Sequence, residues 1–84
     1  MKRKQRILKK IEKELINFST EIIDNSYLHS GHNNFDGSNE THILIKLKRK
    51  NNFSINRLKI HRTINKLLSD EFQNGLHSLE ITII

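Results

Sequence analysis

Hydrophobic residues in the first part of the chain recur every three or four positions. Lysines and glutamates occupy the positions between them, a pattern typical of an amphipathic helix with one buried face. The apolar stripe consists of Ile7, Leu8, Ile11, Leu15 and Phe18. The spacing therefore predicts a helix from about Arg3 to Phe18, followed by a short strand over residues 20–24.

The middle of the chain changes to strict alternation, which indicates a strand with one buried face. Ile43, Ile45 and Leu47 share one face of the predicted strand over residues 41–48. A basic turn over 49–54 follows it.

A second helical stripe runs from Asn56 to Asn74, formed by Ile60, Ile64, Leu67, Leu68 and Phe72. Gly75 stands where a glycine is expected just beyond a helix end. Residues 76–84 alternate again and predict a third strand. The predicted order is α-β-β-α-β, and the last helix crosses over to a strand parallel to its neighbour. We therefore expect one α+β domain over residues 1–84, with a three-stranded mixed sheet and helices on one face.

Residues 26–40 are polar and contain almost no aliphatic side chains. The segment predicts a long loop between the first two strands, rich in histidine, asparagine and glycine. A connection of this length is uncommon in a compact domain and is more often functional.

Composition narrows the classes of function. The 84 residues carry a net charge of +6 and include no cysteine. The absence of cysteine excludes a disulfide scaffold, a thiol nucleophile and an all-cysteine iron–sulfur site. No apolar run is long enough to span a membrane, and no apolar region follows the basic start as in a secretory signal. We expect a cytoplasmic protein with no membrane partner, monomeric when alone.

The excess charge lies in residues 1–13, which hold seven basic residues and one acid. A lysine-rich helix face suits nucleic acid, an anionic membrane or an acidic partner. The simpler interpretation is a solvated face on a helix that covers a sheet.

Five histidines are unusual in so short a chain, and histidine is a common nitrogen ligand for zinc and iron. His29 and His32 lie in the long loop, where packing does not require an imidazole. His77 lies near the start of the predicted last strand and is either a ligand or a partly buried residue bonded to backbone. His42 fits a cross-strand polar partner, and His61 a hydrogen-bonding residue of the second helix. No spacing of carboxylates, serines or glycines indicates catalysis.

Four strings in order resemble the BolA-like family: DNSYLHSGH (24–32), ETH (40–42), HRTIN (61–65) and GLHSLEI (75–81). The resemblance covers about residues 20 to 81. The chain departs from the family pattern at Ile60, where an arginine is common, and at Ile43, where an aromatic residue is common.

The resemblance implies a fold similar to the class II KH domain and a role as non-enzymatic partner of a monothiol glutaredoxin. In that family the two proteins, with glutathione, share a 2Fe-2S cluster used in iron–sulfur trafficking or iron sensing. By position, the metal ligands are His77 and His29, with His32 as reserve, while His42, His61 and Gly75 belong to the structural motifs. With no cysteine, the chain resembles the histidine-loop type.

The alternative function is transcriptional regulation through nucleic-acid binding by a KH-like fold. The candidate contacts are Lys46, Lys48, Arg49, Lys50 and Arg62. The Gly-x-x-Gly loop of KH domains is absent, so we expect such binding to be weak and sensitive to salt.

Overall fold

A computed structural model describes residues 2–25 and 41–84. The elements are α1 (Arg3–Glu14), β1 (Phe18–Asp24), β2 (His42–Arg49), α2 (Arg57–Leu67), α3 (Ser69–Gln73) and β3 (Ser78–Ile83). The predicted loop over 26–40 lies outside the described residues.

The sheet has the order β1-β2-β3, with β1 antiparallel and β3 parallel to the central strand. The predicted mixed sheet is confirmed. The inner face of β2 carries Ile43, Ile45 and Leu47, all buried, as the alternation predicted. The helices supply Ile7, Ile11, Ile64 and Leu68, each fully buried, to the same core. The other face of the sheet carries exposed polar residues such as Glu21, Lys46 and Lys48, together with the half-buried Ile23 and Leu44.

The first helix is shorter than predicted. It ends at Glu14, and Phe18 opens β1 instead of closing α1. Phe18 pairs with Arg49 in the sheet, and the backbone N–H of Lys50 donates to the carbonyl of Asn17 at 3.0 Å. These sheet bonds use the backbone of residues 17 and 18, so the helix cannot continue through them.

The single predicted helix over 56–74 is divided in two at Leu68. Leu68 leaves the helical conformation, with φ −101° and ψ 14°, while its side chain stays fully buried. The bend buries Glu71 in the following turn and leaves Phe72 37% exposed, so Phe72 is not the core residue that the stripe predicted. Gly75 follows α3 with φ 113°, a conformation that favours glycine, as expected for the end of a helix.

Candidate metal centre

His77 stands at the edge of the sheet where the parallel strands β2 and β3 begin. Its backbone N–H donates to the carbonyl of Thr41 at 2.8 Å, and the N–H of Ser78 donates to the same oxygen at 3.1 Å. The side chain of His77 is exposed. The backbone is therefore fixed while the imidazole remains accessible to a ligand.

His42 lies beside His77, at the first position of β2. The register pairs His42 with Ser78, and the two imidazole centres are 5.9 Å apart with their planes at 62°. His42 Nδ1 is 2.9 Å from the hydroxyl oxygen of Thr41, whose residue is only 3% exposed. His42 was expected to be a cross-strand polar residue. In the structure it lies in the strand and its ring also contacts the ring of His77.

Both ends of segment 26–40 meet the same edge. Thr41 follows the segment directly, and the backbone N–H of Asn25, which precedes it, donates to the carbonyl of His42 at 2.8 Å. His29 and His32, the predicted loop ligands, lie outside the described residues. The structure thus brings the two anchor points of their segment to the edge that carries His77.

The described residues contain no group of three or more histidine, cysteine, aspartate or glutamate side chains able to hold a metal. A pair of imidazoles is what this edge offers. Two neutral nitrogen ligands suit zinc, copper, nickel or iron, with the remaining coordination positions filled from elsewhere.

Four of the five basic residues predicted to contact nucleic acid lie within residues 46–50, and the fifth, Arg62, lies on α2. Lys46 and Lys48 are exposed on the face of the sheet away from the helices, and Glu21 pairs with Lys46 across the strands. Arg49 donates through Nη1 to the carbonyl of Phe53 at 2.9 Å. Lys50 is exposed just after β2, whereas Arg62 is exposed on α2, in the helical layer.

The N-terminal basic cluster has a structural part that the sequence did not reveal. Arg3 Nε donates to Glu71 Oε1 at 2.9 Å, while Arg6 donates to both carboxylate oxygens at 2.8 Å. Arg3 also donates to the carbonyl of Asn74 at 2.6 Å. The hydrogen bond from Arg6, with the help of Arg3 and against the cost of burial, lowers the pKa of Glu71 from 4.5 to about 2.

The two remaining motif residues have local structural roles. His61 is half-buried on α2, and its carbonyl accepts a 2.8 Å hydrogen bond from the side chain of Asn65. Gly75 places its Cα close to Arg3, since a Cβ there would lie 3.4 Å from Nη2. Gly75 lies two positions before His77, whereas His61 lies on α2.

Thr41 and the pairing of His42 with His77 are the site features that sequence reasoning missed. A signal was present, because the starts of parallel neighbouring strands lie at one edge of a sheet. His42 opens β2 and His77 directly precedes β3, so the predicted parallel pairing already placed the two histidines together.

Comparisons with known proteins agree with this architecture. A family model described as BolA-like protein matches residues 11–84. Protein BOLA1, chloroplastic, of Arabidopsis thaliana is 38% identical over 81 residues, which cover 94% of this chain and 51% of that protein. The UV-induced protein uvi31 of Schizosaccharomyces pombe is 35% identical over 85 residues, covering 98% of this chain and 83% of that protein.

The chain therefore spans about half the length of BOLA1. Among solved structures, the BolA domain of SufE1 from Arabidopsis thaliana superposes with a TM-score of 0.78 at 37% identity, covering 99% of this chain and 91% of that one. Within the described residues, no helix is both long and apolar enough to cross a bilayer. Family match, sequence identity and shared fold together show that the chain belongs to the BolA-like family.

Proposed function

We propose that this chain is a non-enzymatic partner of a monothiol glutaredoxin and co-ligates a 2Fe-2S cluster for iron–sulfur trafficking or iron sensing in the cytoplasm. The ligands from this chain are His77 and a histidine of segment 26–40, His29 with His32 as reserve. The observation that supports this proposal most is the exposed imidazole of His77, on a backbone fixed by Thr41, at the edge where segment 26–40 begins and ends.

Chain length makes the second ligand feasible. His29 is four residues beyond Asn25, and four extended residues span at most about 14 Å. Asn25 itself is hydrogen-bonded to the carbonyl of His42, whose ring centre is 5.9 Å from that of His77. A ligand from this segment therefore starts from a point close to His77.

The donor set explains why a partner is needed. The chain has no cysteine, and two imidazoles leave half of the ligand positions of a 2Fe-2S cluster unfilled. The glutaredoxin and its bound glutathione would each supply a thiolate. Neutral imidazoles in place of two thiolates raise the reduction potential of such a cluster, as in Rieske centres.

Reconstitution with a monothiol glutaredoxin, glutathione, iron and sulfide tests the proposal through the visible circular dichroism of the complex. His77→Ala should change the spectrum and release iron faster on addition of a chelator. His29→Ala should do the same, or His32→Ala if the reserve residue is the ligand. His61→Ala is the matched control, since His61 lies on α2, and should leave the spectrum as in the wild type. An unchanged spectrum with His77→Ala would refute the assignment.

Nucleic-acid binding has less support, because the Gly-x-x-Gly loop of KH domains is absent and Arg49 is bonded to the carbonyl of Phe53. Gel shifts at low salt and at about 150 mM salt separate the two functions, since contacts to phosphate alone weaken steeply with salt. Sequence-specific retention at the higher concentration would favour a regulator.

A further inference from the structure

The pair formed by His42 and His77 is a candidate metal site that does not require a partner protein. The ring centres are 5.9 Å apart. With a Zn–N distance of about 2.0–2.1 Å, the centre of a ligated imidazole lies roughly 3.2 Å from the metal. Two such rings are therefore roughly 5.2 Å apart at a tetrahedral angle and roughly 6.4 Å apart at most. The observed separation of the ring centres falls between these values, so the spacing of the two rings is compatible with a shared cation once the exposed His77 side chain turns a nitrogen toward it.

Thr41 is hydrogen-bonded to both histidines. Its hydroxyl contacts Nδ1 of His42 at 2.9 Å, and its carbonyl accepts the backbone N–H of His77 at 2.8 Å. Because Nδ1 of His42 is engaged, a cation would take Nε2, and His42 would then donate its Nδ1 proton to Thr41. A hydrogen bond of this kind to the second nitrogen is how proteins orient metal-ligating histidines.

We propose that His42 and His77 together bind a divalent transition-metal cation of the zinc type in the chain alone, with Thr41 as the positioning residue and water completing the coordination. Imidazole ligands suit Zn²⁺, Cu²⁺ and Ni²⁺. The site uses His42, which the cluster proposal does not use, and it needs neither glutaredoxin nor glutathione. Since His77 belongs to both sites, bound Zn²⁺ competes with cluster assembly.

The direct experiment titrates Zn²⁺ into the full chain, free of any affinity tag, and follows the imidazole nitrogens by ¹⁵N NMR. At one equivalent, Nε2 of His42 and one nitrogen of His77 should shift, while both nitrogens of His61 stay unchanged. A response confined to His29 and His32, or no response by any histidine, would overturn the proposal. This measurement uses the wild-type protein and so does not depend on how variants fold.

Calorimetric Zn²⁺ titrations of variants test the roles of individual residues. His42→Gln and His77→Gln should each raise the dissociation constant at least tenfold, and His61→Gln should leave it unchanged. Thr41→Val should raise it by about tenfold, as loss of a hydrogen bond to a ligand does, and Thr41→Ser should restore it. If His42→Gln binds Zn²⁺ as tightly as the wild type, the site does not exist.

Failure here is distinguishable from failure of the cluster proposal. His29→Gln combined with His32→Gln should remove the visible spectrum of the glutaredoxin complex and leave Zn²⁺ affinity unchanged, whereas His77→Gln should affect both. If His77→Gln loses the visible spectrum while His42→Gln keeps the wild-type Zn²⁺ affinity, the shared-cluster proposal stands and the zinc-site proposal is refuted.

Discussion

Replacing Glu71 by glutamine should destabilise the fold in a strongly pH-dependent way. The carboxylate is 4% exposed and accepts hydrogen bonds from Arg3 and Arg6, which tie α1 to α3. Glutamine has nearly the same shape but carries no charge, like the protonated acid. The difference in unfolding free energy between wild type and variant therefore measures what the charge of Glu71 contributes.

The magnitude follows from the pKa of Glu71, which is 4.5 without its partners and about 2 in the fold. Because folding lowers this pKa, the unfolded chain binds more protons between these values, and stability rises with pH across that interval. At about 1.4 kcal/mol per pH unit, the contribution is about 3 kcal/mol at pH 7, falls to roughly 1 kcal/mol at pH 3 and is nearly absent at pH 2. A domain of this size has roughly 4–13 kcal/mol in total, so the loss is large but measurable.

The assay is urea unfolding followed by far-ultraviolet circular dichroism at pH 7, 3 and 2, with wild type and Glu71→Gln side by side. Glu12→Gln is the matched control, because Glu12 is exposed on α1, and it should change stability by less than about 0.5 kcal/mol at each pH. A Glu71→Gln effect below about 1 kcal/mol at pH 7, or one that stays constant down to pH 2, would refute the assigned role of the charge.

Three further substitutions test local features by the same urea assay. Thr20→Val should stabilise the fold by about 1 kcal/mol, because the buried hydroxyl of Thr20 has no hydrogen-bond partner in the described structure; a loss relative to the exposed control Thr82→Val would contradict this. Gly75→Ala should cost more than about 1 kcal/mol, since its φ of 113° is strained for alanine; a neutral result would mean that the turn relaxes. Asn56→Ala should cost about 1 kcal/mol, because the Asn56 side chain accepts the N–H of Lys59 at the start of α2; Asn56→Asp should be nearly neutral, and equal losses in both variants would exclude capping as the cause.

The central strand could be predicted from the sequence because apolar and polar residues alternate along it, and this alternation alone identifies its buried face. Ile43, Ile45 and Leu47 face the helices while Lys46 and Lys48 face solvent, and the alternation records this directly. The ends of the helices could not be predicted in the same way. Phe18 fits the stripe of α1 as well as it fits a strand, and its pairing with Arg49, a residue distant in sequence, decides between them.

The ion network and the histidine pair were hidden for different reasons. Arg3 and Glu71 are separated by 68 positions, and no periodicity links residues so far apart. The meeting of His42 and His77 needed only the register of the parallel strands, which the predicted topology nearly supplied. What the sequence lacked was the position of Thr41, whose hydroxyl contacts the His42 ring and whose carbonyl accepts the backbone N–H of His77.

The position of Thr41 also links the candidate metal centre to segment 26–40. It is the residue at which that segment rejoins the sheet, and its hydroxyl and carbonyl hold His42 and His77 respectively. Arg3 and Arg6, from the N-terminal basic cluster, are bonded to Glu71 on the helical side. The net charge of the chain is thus partly structural, since two of its basic residues bind a buried carboxylate.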